Sequence, residues 1–324
     1  MRSILAFFFI SIPITLSPAA AAPHPLAPLT ADEIRAAANL LRSSNRFPAG
    51  GIFSLIALDE PPKELVLAKG AIPRRAFAVI YDRKANQTFE AIANLSTSAI
   101  DSWKLIPGAQ PAINSEDSDL ADEIVRADPR WARAMGERGI RGAQNVLTMA
   151  WSAGYFGQLG TDAGRIVCVV PYYGGAGANL YAHPVEGVVA HVNLTTGKIV
   201  DFLDIDRNVP VSRENADLGP RPGGTPVAPL IVTQPNGPDF QIEDGEVHWQ
   251  KWRFRYALHP REGLVVYTAG YEDGGRVRPV LYRGSLSEMV VPYGDPSGAW
   301  YFRNSFDAGE LGLGAHTRYR PVAA

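Results

Sequence analysis

The chain opens with Met1-Arg2-Ser3, an apolar stretch from Ile4 to Leu16 broken only by Ser and Pro, and the small residues Ala19 to Ala22. A positive start, a short apolar run and a small-residue stop in that order predict a secretory signal over residues 1–22. The run is shorter than the roughly 20 apolar residues a membrane span needs. An exported, periplasmic protein beginning near Pro23 is therefore expected. Helical spacing follows at once: Ile34, Ala37, Ala38 and Leu41 share one face, Thr30 can cap the start, and Glu33 can return the bond as the capping-box partner. Short apolar runs come next, at Ile52 to Leu58, Ala76 to Tyr81 and Phe89 to Leu95, separated by turn residues such as Asp82 and Asn86. One helix on a small antiparallel sheet is the expectation for residues 23–113.

From residue 114 to 207 the same order returns without any repeated sequence. Leu120, Ile124 and Val125 suggest a short helix, and Asp128-Pro129 starts another with a cap and a proline in its first turn. Strand-like runs follow at Gln144 to Ala150, Arg165 to Val170, Val185 to Leu194 and Lys198 to Asp204, the last two joined by the turn Thr195-Thr196-Gly197. Residues 208–236 then carry Pro210, Pro220, Pro222, Pro226, Pro229 and Pro235, which impose extended backbone and remove amide donors, as a connector requires. Beyond it, residues 237–324 read as strand after strand. Trp249 to Tyr256 reads as one alternating strand, with four aromatics on one face and Gln250, Lys251 and two arginines on the other. The fold class expected is α+β: two small α+β domains, then the beginning of an antiparallel β-sandwich.

Composition narrows the function classes. Of 324 residues, 31 are basic and 33 acidic, a net charge of −2 that gives no electrostatic reason to expect nucleic acid or an anionic membrane as partner. A single cysteine, Cys168, excludes an intrachain disulfide and a cysteine zinc site. It stands in the run Ile166 to Val170, where a buried strand thiol is the expectation.

The segment most informative about chemistry is Met289 to Gly314. Pro292-Tyr293-Gly294-Asp295-Pro296 is followed by Phe306-Asp307-Ala308-Gly309-Glu310 and Leu311-Gly312-Leu313-Gly314. Taken alone, Asp307 before Ala308-Gly309 is an ordinary turn aspartate, Asp295 a turn residue and Tyr293 a strand-end aromatic. Taken in order they resemble the opening of the copper amine oxidase catalytic domain. Two further motifs are similar to that family's: His24 to Thr30 at the start of the first α+β domain, and Tyr181-Ala182-His183-Pro184-Val185-Glu186-Gly187 in the second. The resemblance runs from about Pro23 to Gly314.

The resemblance implies oxidation of a primary amine by O2, with copper and a tyrosine-derived topaquinone as cofactors, in a homodimer. It makes Asp307 the base that removes a proton from the carbon beside nitrogen, and Tyr293 the residue that orients the quinone. Ser305, a small residue, takes the position of a bulky gate to the substrate channel. The sequence also departs from the family. No Asn-Tyr pair occurs, where the family's quinone arises from Thr-x-x-Asn-Tyr. The six histidines, His24, His183, His191, His248, His259 and His316, include no His-x-His. The expectation is thus a chain truncated before the quinone and copper ligands, with neither cofactor ligated here, inactive by itself. The alternative is an exported non-catalytic binding module, or one half of a split enzyme.

Overall fold

The computed structural model describes residues 23–68, 70–154, 164–175, 179–215, 228, 230–286 and 290–304. The expected signal over residues 1–22, most of the connector's prolines, Ser305, Asp307 and His316 lie outside them. No helix among the described residues is long and apolar enough to cross a membrane.

The first unit places α1 (Ala31–Arg42) on a four-stranded antiparallel meander, β1 (Gly51–Leu58), β2 (Arg75–Asp82), β3 (Gln87–Asn94) and β4 (Ala99–Ile106). The capping box forms as its residues require: the Glu33 amide donates to Thr30 Oγ1 and the Thr30 amide to Glu33 Oε2, at 3.2 and 2.8 Å. Glu33 also takes the Arg74 guanidinium at 2.7 Å, tying the helix start to the strand before the sheet centre. Ala37 and Leu41 of α1 meet Ala76, Ala78, Ala91 and Ala93, small side chains that allow close approach of helix and sheet. Two elements have no counterpart in the hydrophobic pattern: the short α2 (Lys63–Leu67) and the edge strand β4, none of whose residues is buried.

The second unit carries α3 (Ser115–Ala127) and α4 (Pro129–Glu137) on one face of β5 (Val146–Ser152), β6 (Ile166–Tyr173), β7 (Val188–Asn193) and β8 (Lys198–Asp204). The helix expected around Leu120 to Val125 is 13 residues long, because Asn114 and Asp117 form a second capping box one turn further upstream. Asp128 caps α4 by accepting from the Arg130 amide at 2.8 Å. Every residue of β7 is buried, and only the two ends of β6 are not. Such a pattern needs cover on both faces of the sheet.

A five-stranded meander completes the described fold: β9 (Phe240–Glu243), β10 (Glu246–Trp249), β11 (Trp252–His259), β12 (Gly263–Asp273) and β13 (Arg276–Ser285). Here one expectation is corrected. Trp249 to Tyr256 is not a single strand but a hairpin, with Trp249 paired to Trp252 across the two-residue turn Gln250-Lys251 and Gln250 at φ 53°. In a continuous strand, residues three apart point to opposite faces; direct cross-strand partners share a face. The hairpin, and not alternation, is what puts both indoles on one side.

Two ionic joints connect these sheets. The Asp117 carboxylate, fully buried, receives Arg83 of the first unit at 2.9 Å and Arg165 of the second at 2.6 Å. Arg165 also donates to the Pro111 and Ala112 carbonyls and lies over the Tyr81 ring. At the other joint, Arg283 of β13 bridges Glu60 and Glu262, and the Tyr267 hydroxyl donates to Glu60 at 2.6 Å. The Arg283 guanidinium, followed by the Ser285 hydroxyl, holds the Glu262 carboxyl at about 2, against burial, which opposes it.

Removing one partner of a buried charge pair leaves the other charge uncompensated, so Asp117→Asn is expected to destabilise the protein by about 3–5 kcal/mol in urea unfolding. Glu262 has a folded pKa below its usual 4.5, so its contribution to stability is complete above that value and is lost as pH falls toward 2. Urea midpoints of Glu262→Gln between pH 5 and pH 2.5 should therefore fall less steeply than those of the wild type.

Candidate functional site

Residues 290–304 leave the third sheet and return to the second unit. Gly294, at φ 75°, and Asp295, which accepts from the Ser297 amide at 2.8 Å, turn the chain after Tyr293. Asp295 is thus the turn residue its Gly-Asp-Pro setting suggests. Amides of Trp300 and Tyr301 then both donate to the Ser297 carbonyl at 3.0 Å, and that of Arg303 to Trp300 at 2.9 Å, winding residues 297–303 into a compact double turn. Gly298 packs close to Leu203, where an added Cβ would stand 3.2 Å from a methyl group.

This turn covers the second face of the sheet. Ala299 and Phe302 are buried against Cys168, Val170, Tyr172, Val189 and Ala153, opposite the face that carries α3 and α4. Apolar runs on β6 and β7 are explained by this double cover, and Cys168 is the buried strand thiol expected, its pKa pushed up to about 12 by desolvation. The Trp300 indole donates to Glu186 Oε2 at 2.9 Å. Glu186 is held in turn by the tight backbone at Gly187, where a Cβ would meet the Ile205 carbonyl at 2.1 Å and φ is 74°. The Val185-Glu186-Gly187 motif and the Tyr293 segment, more than a hundred positions apart in sequence, are thereby joined.

Tyr293 stands at the mouth of this arrangement, 44% exposed. Its ring lies edge-on to Trp151 of β5 at 6.3 Å and tilted against Trp300 at 6.2 Å. The same two indoles flank Arg303, whose guanidinium lies 3.7 Å from the Trp300 centroid and 5.7 Å from that of Trp151. Tyr293 is thus brought to an aromatic cluster on the second unit. The positions of Asp307 and Ser305 relative to it fall outside the described residues. Nothing local to Trp151 or Arg303 in the sequence marks a contact so remote, and Glu186, though part of the Tyr181 to Gly187 motif, carries no local sign of its partner Trp300.

The described histidines do not converge. His183 is buried beside Tyr173, with neither ring nitrogen hydrogen-bonded. His191 sits 3.3 Å from Asp201, its pKa lowered by burial, while His24 Nδ1 accepts from the Leu26 amide and His259 Nδ1 from the amides of Arg261 and Glu262. Among the described residues no three His, Cys, Asp or Glu side chains are grouped so as to hold a metal ion. These residues do not fit a copper site.

By architecture this is a chain of two α+β units and an antiparallel sheet, with an aromatic-lined tyrosine where the last segment folds back. Comparison with known proteins agrees in order and extent. Residues 24–106 match the copper amine oxidase N2 domain, 116–218 the N3 domain and 241–319 the enzyme domain. The chain belongs to the copper amine oxidase family. It is 36% identical over 295 residues to a primary amine oxidase of Arthrobacter sp. (strain P1), covering 90% of this chain and 45% of that protein. A primary amine oxidase of Klebsiella aerogenes is 35% identical over 305 residues, covering 91% of this chain and 40% of its own length. Among solved structures, a copper-containing benzylamine oxidase from Hansenula polymorpha shares the fold, with a TM-score of 0.72 at 24% identity over 90% of this chain and 48% of that one. The chain thus spans less than half the length of these relatives.

With its thiol held near 12 and no exposed surface, Cys168 is expected to resist Ellman's reagent at pH 8 in the folded protein. Full reaction should appear only in urea; rapid labelling of the native state would show that residues 297–303 do not cover β6 in solution.

Proposed function

We propose that this chain contributes to a copper- and quinone-dependent primary amine oxidase, which converts an amine, O2 and water to an aldehyde, ammonia and hydrogen peroxide. The family's N2, N3 and enzyme domains matched in order support that reading, together with Tyr293 of the Tyr-Gly-Asp-Pro motif set between Trp151 and Trp300. In it, Asp307 takes a proton from the carbon beside the amine nitrogen. A carboxylate does this near neutral pH when partial burial raises its proton affinity and the carbon lies within hydrogen-bond reach. Tyr293, held by two rings, presents its hydroxyl in one direction, as a group that orients a cofactor must. Ser305 leaves the approach to the base wider than a bulky residue would. Function in the periplasm and assembly as a homodimer are part of the same proposal.

The chain by itself is proposed to be inactive, because the sequence contains neither Asn-Tyr for the quinone nor His-x-His for copper. Residues 23–324, loaded with copper and given a primary amine, should show no quinone absorbance, no phenylhydrazine adduct and no peroxide. Colour and turnover from this chain alone would sink that part of the proposal. The role of Asp307 is tested by grafting residues 290–314 into the Klebsiella aerogenes enzyme in place of its own matching stretch. Turnover should survive the graft and fall by about a hundred- to ten-thousand-fold when Asp307→Asn is added, the usual weight of a general base. An unchanged rate in that variant would remove Asp307 from the mechanism.

A further inference from the structure

Arg303 is a buried cation with no ion-pair partner among the described residues. Only 6% of its surface is exposed, and its Nε is sealed from solvent with no hydrogen-bond partner. What surrounds it is aromatic: Trp300 at 3.7 Å, Trp151 at 5.7 Å and Phe302 at 6.0 Å from ring centroid to guanidinium carbon. Glu186 is the acid of its own neighbourhood, but its Oε2 is engaged by the Trp300 indole and it stands beyond ion-pair distance of Arg303. Ring faces attract a cation, yet they return far less than the water a buried charge gives up. Burial accordingly lowers the proton affinity of the guanidinium. Every other deeply buried arginine among the described residues has its carboxylate: Arg138 pairs with Asp204 at 2.8 Å and Arg165 with Asp117 at 2.6 Å.

We propose that Arg303 is the seat of a carboxylate-binding subsite beside Tyr293. Guanidinium presents a planar fork of N–H donors that matches a carboxylate with two parallel hydrogen bonds, and the flanking indoles keep that fork in one plane. Tyr293, half-exposed and touching the same two indoles, gives an apolar body attached to the carboxylate a ring to lie against. The carboxylate has two sources: a free ligand such as an aromatic acid, or an acidic side chain of this chain's own residues 305–324, namely Asp307 or Glu310. The subsite does not depend on the oxidase reading, since binding needs neither copper nor quinone.

The test uses the whole chain labelled with 15N at arginine Nε, with the Arg303 signal assigned by its loss in Arg303→Lys. Sodium benzoate should shift that signal saturably in the wild type, where sodium chloride at the same ionic strength does not. Arg303→Lys, which keeps the charge and loses the fork, should weaken benzoate binding at least about tenfold, as measured by calorimetry. A wild type that ignores benzoate beside an Asp307→Asn/Glu310→Gln variant that binds it would identify the internal carboxylate as the occupant and uphold the subsite. No response from either protein, with the remaining arginine signals dispersed as in a folded chain, would overturn the proposal and leave Arg303 held by its rings alone.

Discussion

The carboxylate of Asp117 is the constraint on which the arrangement of the first two units rests. It is a single side chain with three duties: it closes the capping box of α3, receives Arg83 from the first sheet, and receives Arg165 from the loop before β6. A fully buried carboxylate is tolerated only where its lone pairs are filled, and here two guanidinium groups and an amide fill them. Arg165 is in turn spent on the Pro111 and Ala112 carbonyls and on the Tyr81 ring, so the linker between the units is fastened to both. The start of α3, the direction of the linker and the mutual setting of two sheets follow from one charge.

Given that setting, the second sheet is a platform with two loaded faces. Helices α3 and α4 take one, and residues 297–303 take the other. The candidate site is therefore built on the second unit, although Tyr293 and Arg303 follow the third sheet in sequence. Trp151 and Glu186 anchor the returning segment through ring contacts and one hydrogen bond. Rigid strands beneath a short wound segment are the kind of support that holds a functional side chain in one direction.

Local signals in the sequence were legible wherever the residues acted within a few positions of themselves. Thr30 with Glu33, and Asp128 before Pro129, start helices where they stand, because a cap is a bond between near neighbours. Strand β8 lies where its short apolar run, Lys198 to Asp204, stands in the sequence. The edge strand β4 was not legible, since with no buried residue it writes no period into the chain. Nor was the break after Trp249, where Gln250 adopts a left-handed conformation without the glycine or asparagine that would announce it. The family motifs were legible as motifs, and the joining of Glu186 to Trp300 was not.

The sequence by itself determined the order of the parts: a helix and sheet, a second helix and sheet, a proline-rich passage, then strands leading to the Tyr-Gly-Asp-Pro motif that marks a copper amine oxidase. It determined equally that Asn-Tyr and His-x-His are absent from this chain. Tertiary structure decided where the motif lands. Only folding brings Trp151, Glu186, Tyr293 and Arg303 together, and only there does Arg303 become a cation enclosed by rings with no ion-pair partner among the described residues. The physical reason is that caps and alternation act between neighbours in the chain. Burial, by contrast, is a property of what arrives from elsewhere, and no stretch of sequence records its distant partners.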